Sequence, residues 1–467
     1  MSTASLTLPT SAAPAPTLSP TNRWLWVAAA IVTLAFFISE HDTSVSLYDA
    51  FTETADEMEA SAAGGNSLRR IAFLMLGGMG VGLAIVSRQK AWRVHKVMAG
   101  AMLLLFTWCV ASFLWSFDPA MCLRRQIVLV CWTAGAFGLA RYFTLRELCL
   151  MTLIVTASLA FIGLASEIRL GTFRPWSPEH RFSGSLHPNS QGMNLGTLCL
   201  SALALAFATP QHRRRYVFIF ICGFGLLLLT RSRTATGALL LSSTIVASLQ
   251  VSMRLKLGVI FTGLWTLGCA ALVVTLLGID LNDELQRGMM LGRQQDDADS
   301  LSGRFLIWPE VLYYIGKRPW LGYGYDTFWT ADHIDSISTE LQWGLREAHS
   351  AYLETMLGIG IIGLGLALVA VLCGLTTAVT EYARNGSPLY AYIVGLLVFG
   401  MIDGLLESGM SATSLIPFLS ACALLRIAVA GEATVTDAGG LASKASKSPQ
   451  FGLASGERNW QLRPQSE

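Results

Sequence analysis

The chain has 467 residues, of which 53% are hydrophobic and only 14% charged, and its mean hydropathy is +0.50. A soluble domain carries about 25% charged residues, so this deficit marks a chain built for hydrocarbon, where charge is costly. The net charge of +2 excludes a general nucleic-acid footprint.

Residues 1–22 are rich in Ser, Thr, Ala and Pro, and the first twenty hold no Lys or Arg. They lack the basic-then-apolar order of a signal peptide and read as a disordered cytoplasmic tail. Apolar runs follow near 24–39, 71–87, 97–116, 126–140, 147–165, 192–208, 216–230, 234–250, 257–278, 351–379, 389–405 and 411–428. A bilayer core needs about 20 apolar residues per helix. The expectation is an all-α integral membrane protein with about twelve transmembrane helices in residues 23–430. Residues 431–467, rich in Gly, Ala, Ser and Lys, read as a second disordered cytoplasmic tail.

The nine cysteines do not suggest a disulfide framework. Cys109, Cys131, Cys149, Cys199, Cys222, Cys269, Cys373 and Cys422 lie inside apolar runs and read as small apolar residues. Only Cys122 lies near an outer loop, and no Cys-x-x-Cys pair suggests a metal or redox site.

Short-loop Lys and Arg residues set the orientation. Arg88, Lys90, Arg93 and Lys96, then Arg141 and Arg146, Arg213 to Arg215, Arg254 and Lys256, and Arg384 fall on one side, which is therefore cytoplasmic. The loops at 166–191, 231–233, 279–350 and 406–410 fall on the other side. Arg124 and Arg125 sit on that outer side against the rule.

The loop at about 279–350 is too long to be an idle connector. Within it, Phe305, Trp308, Leu312 and Ile315 recur at helical spacing, predicting an amphipathic helix able to lie along the membrane surface. The outer loops also hold the polar clusters His180 to Asn189, Thr230 to Thr234 and Arg346 to Glu354, which points to one site.

Arg231 and Arg233 stand between two apolar runs with almost no loop. They could snorkel at a span edge. They could also fork onto phosphate oxygens, helped by the N-terminal amides of a helix starting at Thr234. Arg181 lies in a loop that re-enters the membrane at Pro188-Asn189, where His187 reads as a helix-start residue. His349, at the mouth of a span, is a natural proton acceptor; Glu347 or Glu354 could orient it. Gly358-Ile-Gly360-Ile-Ile-Gly363 matches a dinucleotide pattern, but it lies in an apolar span without a preceding strand. It and Gly77-Gly78-Met-Gly80-Val-Gly82 read as small residues that let helices approach. No Walker loop, HExxH or Gly-x-Ser-x-Gly occurs. Asp296, Asp297 and Asp299 form an acidic run that reads as a solvated loop.

Three motifs together resemble the O-antigen ligase superfamily. They are Ser232-Arg233-Thr234 opening a span; Arg304-x-x-x-Trp308 followed by Arg318-Pro319-Trp-Leu-Gly322-Tyr-Gly324; and His349-Ser-Ala-Tyr352-Leu353-Glu354 before a Gly-rich span. The superfamily includes O-antigen ligases, polymerases of lipid-linked repeat units and exopolysaccharide production proteins. The resemblance implies a multi-span glycosyltransferase of the bacterial inner membrane whose site faces the periplasm. Its partners would be an undecaprenyl-diphosphate-linked glycan donor and a glycan or glycolipid acceptor, with no cofactor. By position, Arg181 and Arg233, with Arg231 beside them, would bind the diphosphate, and His349 would be the catalytic residue. Arg304, Arg346, Glu347, Tyr352 and Glu354 would support them. The family often has Asn after the histidine; here Ser350 stands there and could cap the helix.

The residues suit that chemistry on their own. Arginines can stabilise a departing diphosphate without a metal, and a histidine can take the acceptor proton. Two other classes stay open. A lipid-linked oligosaccharide flippase or polysaccharide exporter component would also place arginines in a bundle, with polar or broken helices at the midplane. A structural assembly partner would depend on no single polar residue.

Overall fold

The computed structural model describes residues 23–41, 67–87, 94–178, 180–251, 299–341, 347–410 and 413–429. All regular structure among them is helical. In chain order the α-helices are α1 (Arg23–Glu40), α2 (Ser67–Ile85), α3 (Lys96–Ala111), α4 (Pro119–Tyr142), α5 (Leu145–Leu170), α6 (Pro188–Ala208), α7 (Arg213–Thr230), α8 (Arg233–Gln250), α9 (Asp299–Lys317), α10 (Ala331–Leu341), α11 (Ala351–Asn385), α12 (Pro388–Asp403) and α13 (Leu415–Val429).

Six of these are long and apolar enough to cross a membrane: Arg23–Glu40, Leu68–Ile85, Lys96–Trp115, Leu145–Leu170, Pro188–Ala208 and Ala351–Asn385. α12 and α13 are apolar but shorter. Each predicted apolar run has a helix, except the run at 257–278, which lies outside the described residues. The chain is a multi-pass membrane protein.

Local chemistry sets the helix ends. Asp118 caps α4 through Met121 N, with Pro119 in the first turn. Thr144 and Glu147 form a reciprocal capping box on α5.

The helices run alternately up and down, as contacts at their two ends show. At one end, Ala351 N donates to Gly404 O at 2.9 Å, Phe182 N to Leu229 O at 2.8 Å, and Leu415 N to Glu40 Oε1 at 3.0 Å. At the other end, His95 N donates to Ala428 O at 2.8 Å, Ser87 Oγ to Arg141 O at 3.1 Å, and Tyr382 OH to Leu249 O. Arg181, Arg231, Arg233 and His349 therefore all belong to the first end, as the loop pattern predicts.

Lipid is as apolar as leucine, so the bundle must rely on close packing and internal polar bonds. A Cβ on Gly138 would lie 1.9 Å from Gly80 O, and one on Gly80 would lie 2.2 Å from Ala134 O. These glycines bring α2 against α4, whereas Gly78 and Gly82 meet nothing. α6 is nearly all buried, between α5, α7, α8 and α12. Its N-terminus delivers Asn189 to the middle of the bundle's site end.

The segment from α9 to the start of α11 has its own core. Ile307, Val311 and Ile315 of α9 pack with Tyr323, Phe328, Trp329, Ile334, Ile337, Ala348 and Leu357. The predicted amphipathic helix is present, and its buried face takes in Ile315 and, in part, Trp308 of the predicted stripe, but not Leu312. Ile307 and Val311 are fully buried, while Leu312 is 52% exposed, beside Leu306 and Tyr313 on the outward side. α9 is apolar on two faces, and the inward one is filled by the folded loop rather than by lipid.

α11 is broken at Gly360, which has φ 70° and ψ −177°. Residues 319–324 lie against the break: Tyr323 N donates to Leu357 O at 2.8 Å and Gly324 N to Gly358 O at 2.9 Å, and Ile361 N donates to Pro319 O at 2.9 Å. A Cβ on Gly360 would lie 2.1 Å from Trp320 O. Gly360 thus admits a backbone segment rather than a neighbouring helix, which corrects the simpler small-residue reading.

Candidate functional site

The site is built around a carboxylate that the sequence reading did not single out. Glu407, in the turn between α12 and α13, accepts from Arg304 Nη2 at 2.7 Å and from Asn189 Nδ2 at 2.9 Å. Asn189 in turn accepts from Arg181 Nη2 at 3.2 Å through its Oδ1. Arg181 Nε also donates to Thr230 O at 3.3 Å, one residue before Arg231. A chain of polar contacts thus runs from Arg181 to Arg304 across four elements.

Arg181 sits on a loop fixed from below. Glu167, at the end of α5, accepts from Ser183 N at 2.9 Å and Gly184 N at 2.8 Å. His187 caps α6 by accepting from Asn189 N at 3.2 Å, in keeping with its reading as a helix-start residue.

Arg231 and Arg233 flank Ser232, which caps α8 through Ala235 N. Arg231 is the left-handed C-cap of α7, with φ 54°. Burial lowers the pKa of the nearby His180; Glu167 opposes that shift, and the charge of Arg231 adds to it. Arg233 is the first residue of α8, where a helix presents its free amides. Arg231 and Arg233 stand beside the Arg181–Asn189–Glu407 chain, directly after Thr230, whose carbonyl accepts from Arg181.

His349 is held by its backbone. The preceding Ala348 N donates to Glu354, and Trp308 Nε1 donates to Ala348 O at 3.2 Å. Glu354 also accepts from Trp329 Nε1 at 3.0 Å and from Ser408 Oγ at 3.4 Å. Ala351 N donates to both Gly404 O and Glu407 O. These contacts hold His349 at φ 51°, a conformation uncommon outside glycine. Arg231 and His349 are two of three non-glycine residues with positive φ among the described residues. Such backbone strain clusters at functional sites.

The structure separates the two candidate partners of His349. Glu347 Oε1 lies 3.2 Å from His349 Nδ1, whereas Glu354 holds the backbone. Burial lowers the His349 pKa; Glu347 opposes that shift and Arg304 adds to it. That direction favours the neutral imidazole, the form that can accept a proton. Burial pushes the Glu407 carboxyl upward, and the Arg304 guanidinium at 2.7 Å opposes that shift by favouring the ionised form, which accepts from it.

The remaining supporting residues divide by what they touch. Arg304 is engaged by Glu407, so its charge is largely spent inside the protein. Tyr352 OH donates to Met401 O at 2.8 Å and ties α11 to α12. Ser350 is at the helix start, but its side chain makes no cap hydrogen bond, contrary to the capping role expected of it. Arg346, Asp296 and Asp297 lie outside the described residues. Asp299 opens α9. Among the described residues, no group of three or more His, Cys, Asp or Glu is placed to hold a metal ion.

Arg125, anomalous by loop charge, pairs with Asp326 at 2.8 Å. Its charge is met by the segment between α9 and α10.

Glu407 carried one signal in the sequence: an acidic residue directly after an apolar run, a place where ionisable groups tend to be functional. Its partner Arg304 is 103 residues away, and nothing local pairs the two.

No curated protein matches the chain significantly. The family model described as O-antigen ligase matches residues 218–368. That segment carries Arg231, Arg233, Arg304 and His349, and the match supports membership of the chain in the O-antigen ligase superfamily.

Proposed function

We propose that the chain is a membrane glycosyltransferase that moves a glycan from undecaprenyl diphosphate to an acceptor hydroxyl at the periplasmic face of the inner membrane. One observation carries the reading. Within a chain matching the O-antigen ligase family, His349 and the polar chain from Arg181 to Arg304 converge on the single turn that holds Glu407.

In this reading the acceptor oxygen attacks the anomeric carbon as the bond from that carbon to the diphosphate oxygen breaks. The bonding pair leaves with the diphosphate, and Arg181, Arg233 and Arg231 stabilise the growing charge. His349 takes the hydroxyl proton on Nε2, with Nδ1 turned to Glu347. Arg304, Glu354 and Tyr352 hold the site's geometry. The donor's diphosphate supplies the activation, so the reaction is proposed to need no metal.

A flippase or exporter component is the alternative. The break in α11 at Gly360 also fits a transporter, but the backbone of residues 319–324 takes up the freed groups there. The test is in vitro transfer from purified lipid-diphosphate glycan, with candidate acceptors added one at a time. Release of lipid diphosphate with a new glycosidic bond supports the reading, and the productive acceptor separates ligase from polymerase. Movement of donor across the bilayer without bond formation would favour the transporter.

A further inference from the structure

We propose that Glu407 is a positioning residue, whose carboxylate sets the Arg181 side of the site through Asn189 while its turn is tied to the His349 side through its backbone and Ser408. The proposal rests on the glycosyltransferase reading above and deepens it.

The geometry is specific. One oxygen, Oε1, accepts both the Arg304 guanidinium at 2.7 Å and the Asn189 amide at 2.9 Å. The Asn189 amide has two ends. Its nitrogen is spent on Glu407, which fixes its oxygen to face Arg181 at 3.2 Å. If Glu407 became a donor at that place, the amide could turn over and offer its own N–H groups to a guanidinium that has only donors. The same residue's backbone oxygen accepts from Ala351 N at 3.1 Å, two positions after His349. The neighbouring Ser408 reaches the Glu354 carboxylate that anchors Ala348. The turn at 404–408 is therefore attached to both halves of the site.

Its burial agrees with that task. Glu407 is 7% exposed and Asp403, one turn earlier, is 0% exposed. Burying two acids this close together is costly, and what offsets it at Glu407 is the Arg304 guanidinium at 2.7 Å, which would be left buried without a counter-charge if Glu407 were removed. A carboxylate used only for packing would be an expensive choice here.

The test uses full-length protein in nanodiscs with a lipid-diphosphate-linked glycan donor. Glu407→Gln, Asn189→Ala and the double variant are compared for kcat and donor KM, with thermal melting to check folding. Glu407→Gln is nearly the same size, so it preserves packing where Glu407→Ala could collapse the turn. The expected result for Glu407→Gln is a fall in kcat/KM of about tenfold or more, with donor KM raised and melting near wild type. Asn189→Ala should show the same KM rise, and the double variant should be no worse than the more affected single one. Glu407→Asp keeps the charge but is one methylene shorter, and should recover part of the loss. Wild-type kinetics for Glu407→Gln would overturn the proposal, as would losses that multiply in the double variant. Arg181→Ala and His349→Ala are run in parallel. If both lose transfer while Glu407→Gln does not, the positioning role alone fails. If both transfer normally, the glycosyltransferase reading fails and the positioning role falls with it.

Discussion

Glu354→Ala should lower kcat by about 100-fold while leaving donor KM within about threefold, the loss expected of a reacting group displaced by about 1 Å. Glu354 accepts from Ala348 N and Trp329 Nε1. Both donors are buried: Ala348 is 0% exposed and Trp329 8%. Leaving a buried donor without an acceptor costs about 1–3 kcal/mol, so two cost about 2–6 kcal/mol. The loop relaxes to recover that energy, and His349, already at φ 51°, moves with it. Arg181 is anchored elsewhere, through Thr230 and through Asn189 and its partner Glu407, so donor binding should persist. Glu354→Gln keeps an acceptor for Ala348 N but turns an amide N–H toward the Trp329 N–H. It should fall between wild type and the alanine variant. Steady-state transfer across donor concentrations, with melting measured on the same preparations, decides the matter. A Glu354→Ala protein that folds and keeps wild-type kcat would refute the claim that the backbone clamp places His349.

Three further outcomes are expected. Because burial lowers the His349 pKa, the neutral base should persist below the ordinary imidazole value of about 6.5 and be lost only as pH falls through the lowered value; a pH–rate profile with its acid limb at or above about 6.5 would contradict this. Arg233→Lys should be nearly as harmful as Arg233→Ala, since lysine keeps the charge but not the planar fork; full transfer by the lysine variant would leave Arg233 a point charge at a helix start. Transfer should survive EDTA; loss on chelation with recovery on added Mg²⁺ or Mn²⁺ would turn attention to Asp296, Asp297 and Asp299.

The helices were legible in the sequence because apolar length and basic loops are local signals. So was the gathering of Arg181, Arg231, Arg233 and His349 at one end, which follows from the parity of the crossings. What was hidden depends on distant partners. Arg125 looked misplaced until Asp326, 201 residues on, met it. Gly360 looked like a packing glycine, and its real neighbour is the backbone at Trp320. On α9 the periodicity gave the helix and part of its buried face, Trp308 and Ile315, but not Ile307 and Val311, which offer as good an apolar stripe as Phe305 and Leu312. Glu407 and Asn189 lie 218 residues apart, and only the folded bundle brings them together.

The central claim is that this end of the bundle makes a glycosidic bond with His349 as the proton acceptor. The most direct measurement is transfer by purified wild-type and His349→Ala protein from the same lipid-diphosphate glycan, with donor binding measured alongside. Loss of a general base costs about 10²–10⁴-fold in rate. The account predicts a loss of that size, with donor binding and membrane insertion retained and lipid-linked donor accumulating in cells that carry the variant. A folded His349→Ala protein that transfers at the wild-type rate would contradict it.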